Sequence, residues 1–241
     1  MYREELLTED ILKIFKEKYS NGEFRVIGNN VQQSKTVEIQ NAHFLVNKPW
    51  IVREPNMKYY EKEKMWYLSQ SRNVYDILGK TPDQWVACAD KFGFINSNYG
   101  WCIFSDENHN QFKSCRNKLI GDPHTREAVM IYTRPSMQKD YKANGMHDFM
   151  CTQYVQYFLN ERDNEVFLDS IVNIRSNDAV YGFNNDSLWF SDVQSWLTDD
   201  LNAHEDMKEF IEKNGKIKTG KLWWNAGSIH IYERHFNLLE N

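Results

Sequence analysis

Residue types that could do chemistry gather in one stretch of this chain, DFMCTQYVQYFLNERDNEVFLDSIVNIRSNDAVYGFNND, which runs from Asp148 to Asp186. Cys151 offers a nucleophile, Arg175 a guanidinium, and Asp178 and Asp186 carboxylates, with Ser176 and Gly182 between them. A thiol attacks carbon only as thiolate, and a guanidinium nearby lowers its pKa, so a Cys–Arg pair is chemically suggestive. Taken singly, each residue also has a plainer reading. A lone cysteine is most often a small buried hydrophobe, Asp186 ahead of a helix is an N-cap, and Arg175 at a strand end is a solvated charge. Elsewhere, Glu63 sits between Lys62 and Lys64 like an ordinary surface glutamate of a helix. Tyr99 reads as a packed aromatic. His230 and Tyr232 in SIHIYERH share one strand face because the strand period is two, although a strand histidine is more often structural than a ligand.

The elements that must position these side chains follow from periodicity. Met150–Leu159 and Phe167–Arg175 are rich in Tyr, Val, Phe and Ile and suit half-buried strands, joined across the polar run Asn160–Asn164. Were they to pair, Cys151 and Arg175 would approach one another. Gly182 permits a tight turn before an amphipathic helix over Asp186–Asn202. Helices are also predicted from Thr8, as N-cap, to near Gly22, over Met57–Gln70, from Pro82 to Lys91, over Glu107–Ile120 and over Glu205–Gly215. Val37–Val46, Leu222–Trp224 and Ser228–Tyr232 are further strands.

Composition narrows the function classes. The 241 residues carry 41% hydrophobic and 15% aromatic side chains, enough for a sizeable core. No Pro-, Gly- or Ser-rich linker divides them, so one domain over 1–241 is expected. A net charge of −5 argues against polymeric nucleic acid as partner. It leaves a nucleotide monomer open, since a few local arginines hold a phosphate. Four cysteines without framework spacing, no signal-peptide stretch and no long apolar run predict a reduced, cytoplasmic protein with no membrane partner. No G-x-G-x-x-G, P-loop, H-E-x-x-H or C-x-x-C occurs. His147 and Cys151, read on one strand, are poorly spaced for a single ion, so no metal is expected.

The segment RSNDAVYGFNND resembles the nucleotide-binding signature of the thymidylate synthase family. INSNYGW (Ile95–Trp101), MIYTRPSM (Met130–Met137), DFMCTQYVQY (Asp148–Tyr157) and WNAGSIHIYERHF (Trp224–Phe236) agree with it in the same order, from about Lys35 to Leu239. The residue that reads the pyrimidine is Asn in thymidylate synthases. Here it is Asp186, as in the phage-type deoxycytidylate hydroxymethylases of the family. The resemblance implies an α+β fold with a large mixed or antiparallel sheet backed by helices, and a homodimer formed through that sheet. It also implies an activity, hydroxymethylation of dCMP at pyrimidine carbon 5, with 5,10-methylenetetrahydrofolate as co-substrate. Cys151 would add to ring carbon 6, with Glu63 as general acid/base and Tyr99 assisting proton removal from carbon 5. Asp186 would hold the cytosine edge. Arg175 and Ser176 would bind phosphate with Arg126 supplied in trans, His230 and Tyr232 would bind the sugar hydroxyl, and Asp178 and Gly182 would serve the folate.

The chain departs from the family pattern in three places. A second arginine beside Arg126 is replaced by Glu127. The basic position of the N-terminal loop falls on Val31 or Gln32, with Lys35 as a substitute. The resemblance also leads one to expect that most of the family's folate-closing C-terminal tail is absent, and Glu205–Gly215 resembles an insertion that could take over that role. These departures keep other readings open: a uracil-directed hydroxymethylase or thymidylate synthase, an enzyme for a ribonucleotide or nucleoside, or a catalytically weak nucleotide-binding subunit of a phage replication complex.

Overall fold

A computed structural model describes residues 5–28 and 33–240. The described residues form an α+β fold, with seven strands and a set of helices among them. The strands are β1 (Arg25–Gly28), β2 (Gln33–Leu45), β3 (Val129–Ile131), β4 (Thr152–Arg162), β5 (Glu165–Ile174), β6 (Asn177–Asp178) and β7 (Lys218–Tyr232). The α-helices are α1 (Thr8–Ser20), α2 (Met57–Leu68), α3 (Asp83–Cys88), α4 (Tyr99–Phe104), α5 (Gln111–Gly121), α6 (Met137–Asp140), α7 (Gly182–Ala203) and α8 (Lys208–Asn214). The sheet is mixed, ordered β1-β2-β7-β5-β4-β3, and β6 adds to β7 in parallel.

The backbone divides into two compact units, each discontinuous in sequence. One comprises Met1–Pro55, Ile171–Val193 and Lys221–Asn241. Its frame is the antiparallel ladder of β2 on β7, running from Thr36↔Tyr232 to Leu45↔Trp223. The N-terminal half of α7 covers that ladder, setting Phe183 tilted against Phe44 and edge to face on Trp224, with ring centroids 5.7 and 5.0 Å apart. The helix α1 buries Ile11 and Phe15. Thr8 lies inside α1 instead of capping it; Leu7 holds the cap position, and its N–H donates to Asp10 Oδ2 at 3.0 Å.

The other unit comprises Asn56–Ser170 and Gln194–Gly220. Helices α2, α4 and α5 pack in succession, and α5 lies along β3. The join between α2 and α4 is tight: a Cβ added at Gly100 would lie 1.8 Å from the Tyr67 carbonyl oxygen. Only glycine permits that approach, and it stacks Tyr67 on Tyr99 at 5.2 Å. At the sheet edge, the Gln111 side chain accepts from Ile131 N–H and donates to Ile131 C=O, at 2.7 and 2.6 Å. One amide thereby does the work of a neighbouring strand.

Several sequence expectations are corrected. The turn from β4 to β5 is two residues, Asp163 and Asn164, both left-handed, and not a five-residue loop. Such a pair matches strand twist, so the strands extend into the polar run. Leu222–Trp224 and Ser228–Tyr232 belong to one strand, β7, since Gly227 does not interrupt it. Helix α5 begins only at Gln111, because His109 and Asn110 are left-handed and end a preceding 3-10 turn. His147 lies in irregular chain before β4, where its N–H bonds Cys88 C=O at 2.9 Å. Val31 and Gln32 lie outside the described residues. Lys35 sits on β2 with its ammonium 6.0 Å from the Phe24 ring centroid. The expected inserted helix is a 3-10 turn, Glu205–Met207, leading into α8.

Candidate active site

In the Ile171–Val193 unit, β6 is the organising element. It pairs with β7 so that Asp178 stands beside His230 and Asn177 beside Ile229. The Asp178 carboxylate accepts from Val180 N–H at 2.9 Å, which fixes it where the chain turns towards α7. His230 is buried, and burial pushes its imidazole below the ordinary range despite the nearby carboxylates of Asp178 and Glu38. Its ring meets Tyr232 edge to face at 4.9 Å, as expected for residues two apart on a strand. Ser228 Oγ lies 3.3 Å from His230 Nδ1. Arg175 follows β5, with an exposed side chain and a tightly held backbone. Its C=O accepts from Ser228 N–H at 3.1 Å, and a Cβ at Gly227 would come within 2.9 Å of that oxygen.

Asp186 is not an N-cap. Helix α7 starts four residues earlier, at Gly182, placing Asp186 within its first turns. There Asn177 Nδ2 donates to Asp186 Oδ2 at 2.8 Å. Gly182 is a helical residue and not a left-handed turn. A side chain there would lie 3.4 Å from that amide nitrogen and 3.6 Å from Asp178 Cβ. Arg53, which no sequence signal singled out, stacks on Tyr181 at 5.0 Å, while its C=O accepts from Asn184.

In the other unit, Glu63 is buried, only 3% exposed, which overturns the surface reading suggested by its lysine neighbours. Tyr59, one helical turn earlier, donates its O–H to Glu63 Oε1 at 2.6 Å. Trp85 Nε1–H donates to the same oxygen at 2.9 Å. Tyr99 begins α4, and its hydroxyl shares a hydrogen bond of 2.8 Å with Thr152 Oγ1, the residue after Cys151. Cys151 ends the irregular segment that enters β4. That segment is anchored by buried Asp148, which accepts from Asn96 N–H, Ser97 N–H and Ser97 O–H at 2.7, 2.8 and 2.6 Å. The nucleophile's loop and the Tyr99 helix are therefore tied through the same few residues. Arg126 is exposed, and Glu127 pairs with Lys118 at 3.3 Å.

The other cysteines are poor nucleophiles. Burial pushes Cys102 and Cys115 up to about 12 and raises Cys88, so all three are thiols at neutral pH. Among the described residues, no cluster of three or more His, Cys, Asp or Glu is placed to hold a metal ion. No helix among them is long and apolar enough to cross a membrane.

A family model described as thymidylate synthase matches residues 12–241. The chain belongs to the thymidylate synthase family. Similar members are the deoxycytidylate 5-hydroxymethyltransferases of Enterobacteria phages T4 and T2. Each is 44% identical over 207 residues, covering 86% of this chain and 80% of the relative. Among solved structures, thermostable thymidylate synthase A from Bacillus subtilis shares the fold, with a TM-score of 0.66 at 18% identity, over 97% of this chain and 83% of that one.

Proposed function

We propose that this chain is a folate-dependent hydroxymethyltransferase that acts on dCMP at pyrimidine carbon 5. The observation that carries the base choice is the Asp186 carboxylate, oriented by Asn177 where a thymidylate synthase has an amide. Uracil offers a ring N–H beside a carbonyl, which an amide matches. Cytosine offers an amino group beside a bare ring nitrogen. A carboxylate accepts from the amino group and favours a proton on that nitrogen as charge develops. The 44% identity to relatives named for deoxycytidylate supports the same choice.

Carbon 5 of a pyrimidine is a weak nucleophile. Addition of the Cys151 thiolate to carbon 6 makes carbon 5 enolate-like and able to attack an electrophilic methylene. Methylenetetrahydrofolate supplies that methylene, because no side chain carries carbon at that oxidation level. Asp178, partly exposed and fixed by Val180 N–H, suits a pterin ring's N–H groups, and Gly182 leaves the space beside it open. Tyr99, coupled to Thr152, assists removal of the carbon-5 proton. Loss of that proton expels tetrahydrofolate and leaves an exocyclic methylene; water adds there, its proton passing to Glu63, and the Cys151–carbon 6 bond then breaks to release the hydroxymethylated base and the thiolate. Arg175 and Ser176 hold phosphate, and His230 with Tyr232 holds the sugar hydroxyl. The protein acts as a homodimer in which Arg126 reaches the other protomer's phosphate. Glu127, which stands where the family has a second arginine, pairs with Lys118 at 3.3 Å, which offsets part of its charge.

Incubation with dCMP, dUMP and CMP plus methylenetetrahydrofolate, followed by mass analysis, tests this reading. The expected product is hydroxymethylated dCMP with tetrahydrofolate. A methylated product with dihydrofolate, or turnover of dUMP or CMP in preference, overturns it.

A further inference from the structure

Glu63 is almost wholly buried on α2, yet the role proposed for it requires a carboxylate that is ionised at neutral pH and fixed in direction. Burial alone works against ionisation, because a desolvated carboxyl favours its neutral form, and it does nothing by itself to fix direction. The structure supplies a counterweight. Tyr59 O–H donates to Glu63 Oε1 at 2.6 Å, and Trp85 Nε1–H donates to that oxygen at 2.9 Å and to the Tyr59 oxygen at 3.1 Å. The three groups form a closed triangle with every donor aimed inward. Tyr59 and Glu63 are four apart on one helix and so share a face, while Trp85 arrives from α3, held edge to face on Trp66.

We propose that Tyr59 is a positioning residue for this reaction, holding Glu63 ionised and aimed through a permanent hydrogen bond to one carboxylate oxygen. This rests on the reading of Glu63 as the proton relay. Burial and the adjacent carboxylate push the Tyr59 phenol well above its usual range, so it is a donor at every working pH. Titratable groups on the packed elements include Cys88, Tyr99 and Lys64. Cys88 of α3 is held as thiol by burial, Tyr99 of α4 is bonded to Thr152, and Lys64 of α2 pairs with Glu61 at 2.9 Å.

The test is Tyr59→Phe, which keeps the ring and removes only the donor. Losing a charge-assisted bond to a buried carboxylate raises its pKa by about one unit or more. The acid limb of the pH profile for tritium release from carbon 5 of dCMP should therefore move up by about one unit, with the alkaline plateau largely kept. In a Glu63→Gln background the same change should add nothing. A uniform loss at all pH values, or a profile that superimposes on wild type, overturns the proposal. Carbon-13 NMR titration of the Glu63 carboxyl, assigned with Glu63→Gln, gives a readout independent of turnover; an unshifted midpoint in Tyr59→Phe refutes the clamp. Wild-type activity in Glu63→Gln would instead refute the relay role, leaving the titration to judge Tyr59 by itself.

Discussion

At the scale of single residues, the proposed chemistry rests on atoms whose surroundings are specific. Asp186→Asn turns an acceptor-only group into one that also donates. It should shift the dCMP to dUMP ratio of kcat/KM towards dUMP by at least about tenfold, since a reversed donor in a site leaves a polar group unpaired. An unchanged ratio would remove Asp186 from the base-reading role. Cys151→Ser should abolish tritium release from substrate carbon 5; exchange at the normal rate would rule out covalent addition. His230 gives a stability signature. Its folded pKa lies below its ordinary value of 6.5, so the unfolded chain binds the proton first as pH falls. Its contribution is complete above that value and is lost below it. Urea midpoints measured at pH 7.5 and 5.5 should differ less in His230→Gln than in wild type, with His235 supplying part of the remaining slope. The sequence displayed each of these side chains, and the family pattern implied their roles. It did not display their partners. Asn177 beside Asp186, or Trp85 on Glu63, joins residues whose spacing carries no signal until the chain is folded.

At the scale of elements, most strands and helices were legible from hydrophobic period, and the misses have a common cause in the chain's left-handed residues and glycines. Asp163 and Asn164 make a two-residue turn out of what read as a polar loop, while Gly182, which read as a turn, opens α7, and Gly227 lies within the single strand β7. Gly100 has a structural use that composition hides. Gly100→Ala must part α2 from α4, because the new methyl would lie 1.8 Å from Tyr67 C=O. Overpacking of this kind costs about 1–3 kcal/mol. A lowered urea midpoint with a disproportionate fall in activity is expected, because the two helices carry Glu63 and Tyr99. Gln111→Leu should act differently. Ile131 is exposed, so water replaces the lost amide and folding stability changes little, but the bare edge of β3 gains the freedom to pair with another copy. Sedimentation at rising protein concentration should show more self-association than wild type.

At the scale of the whole molecule, composition favours one domain over 1–241, and the backbone gathers into two compact units, each assembled from separate parts of the chain. The proposed dimer makes a quantitative forecast. Arg126→Ala and Cys151→Ser proteins should each be nearly inactive, yet refolding them together should restore about a quarter of wild-type activity, because half the dimers then hold one complete site. No recovery would place Arg126 in its own protomer's site. The thiol census has a practical outcome as well. With Cys88, Cys102 and Cys115 all held protonated by burial, rapid alkylation at neutral pH by a mild electrophile reports on Cys151. Counting incorporated label would then give the fraction of intact reactive centres in any preparation, before a single turnover has been measured.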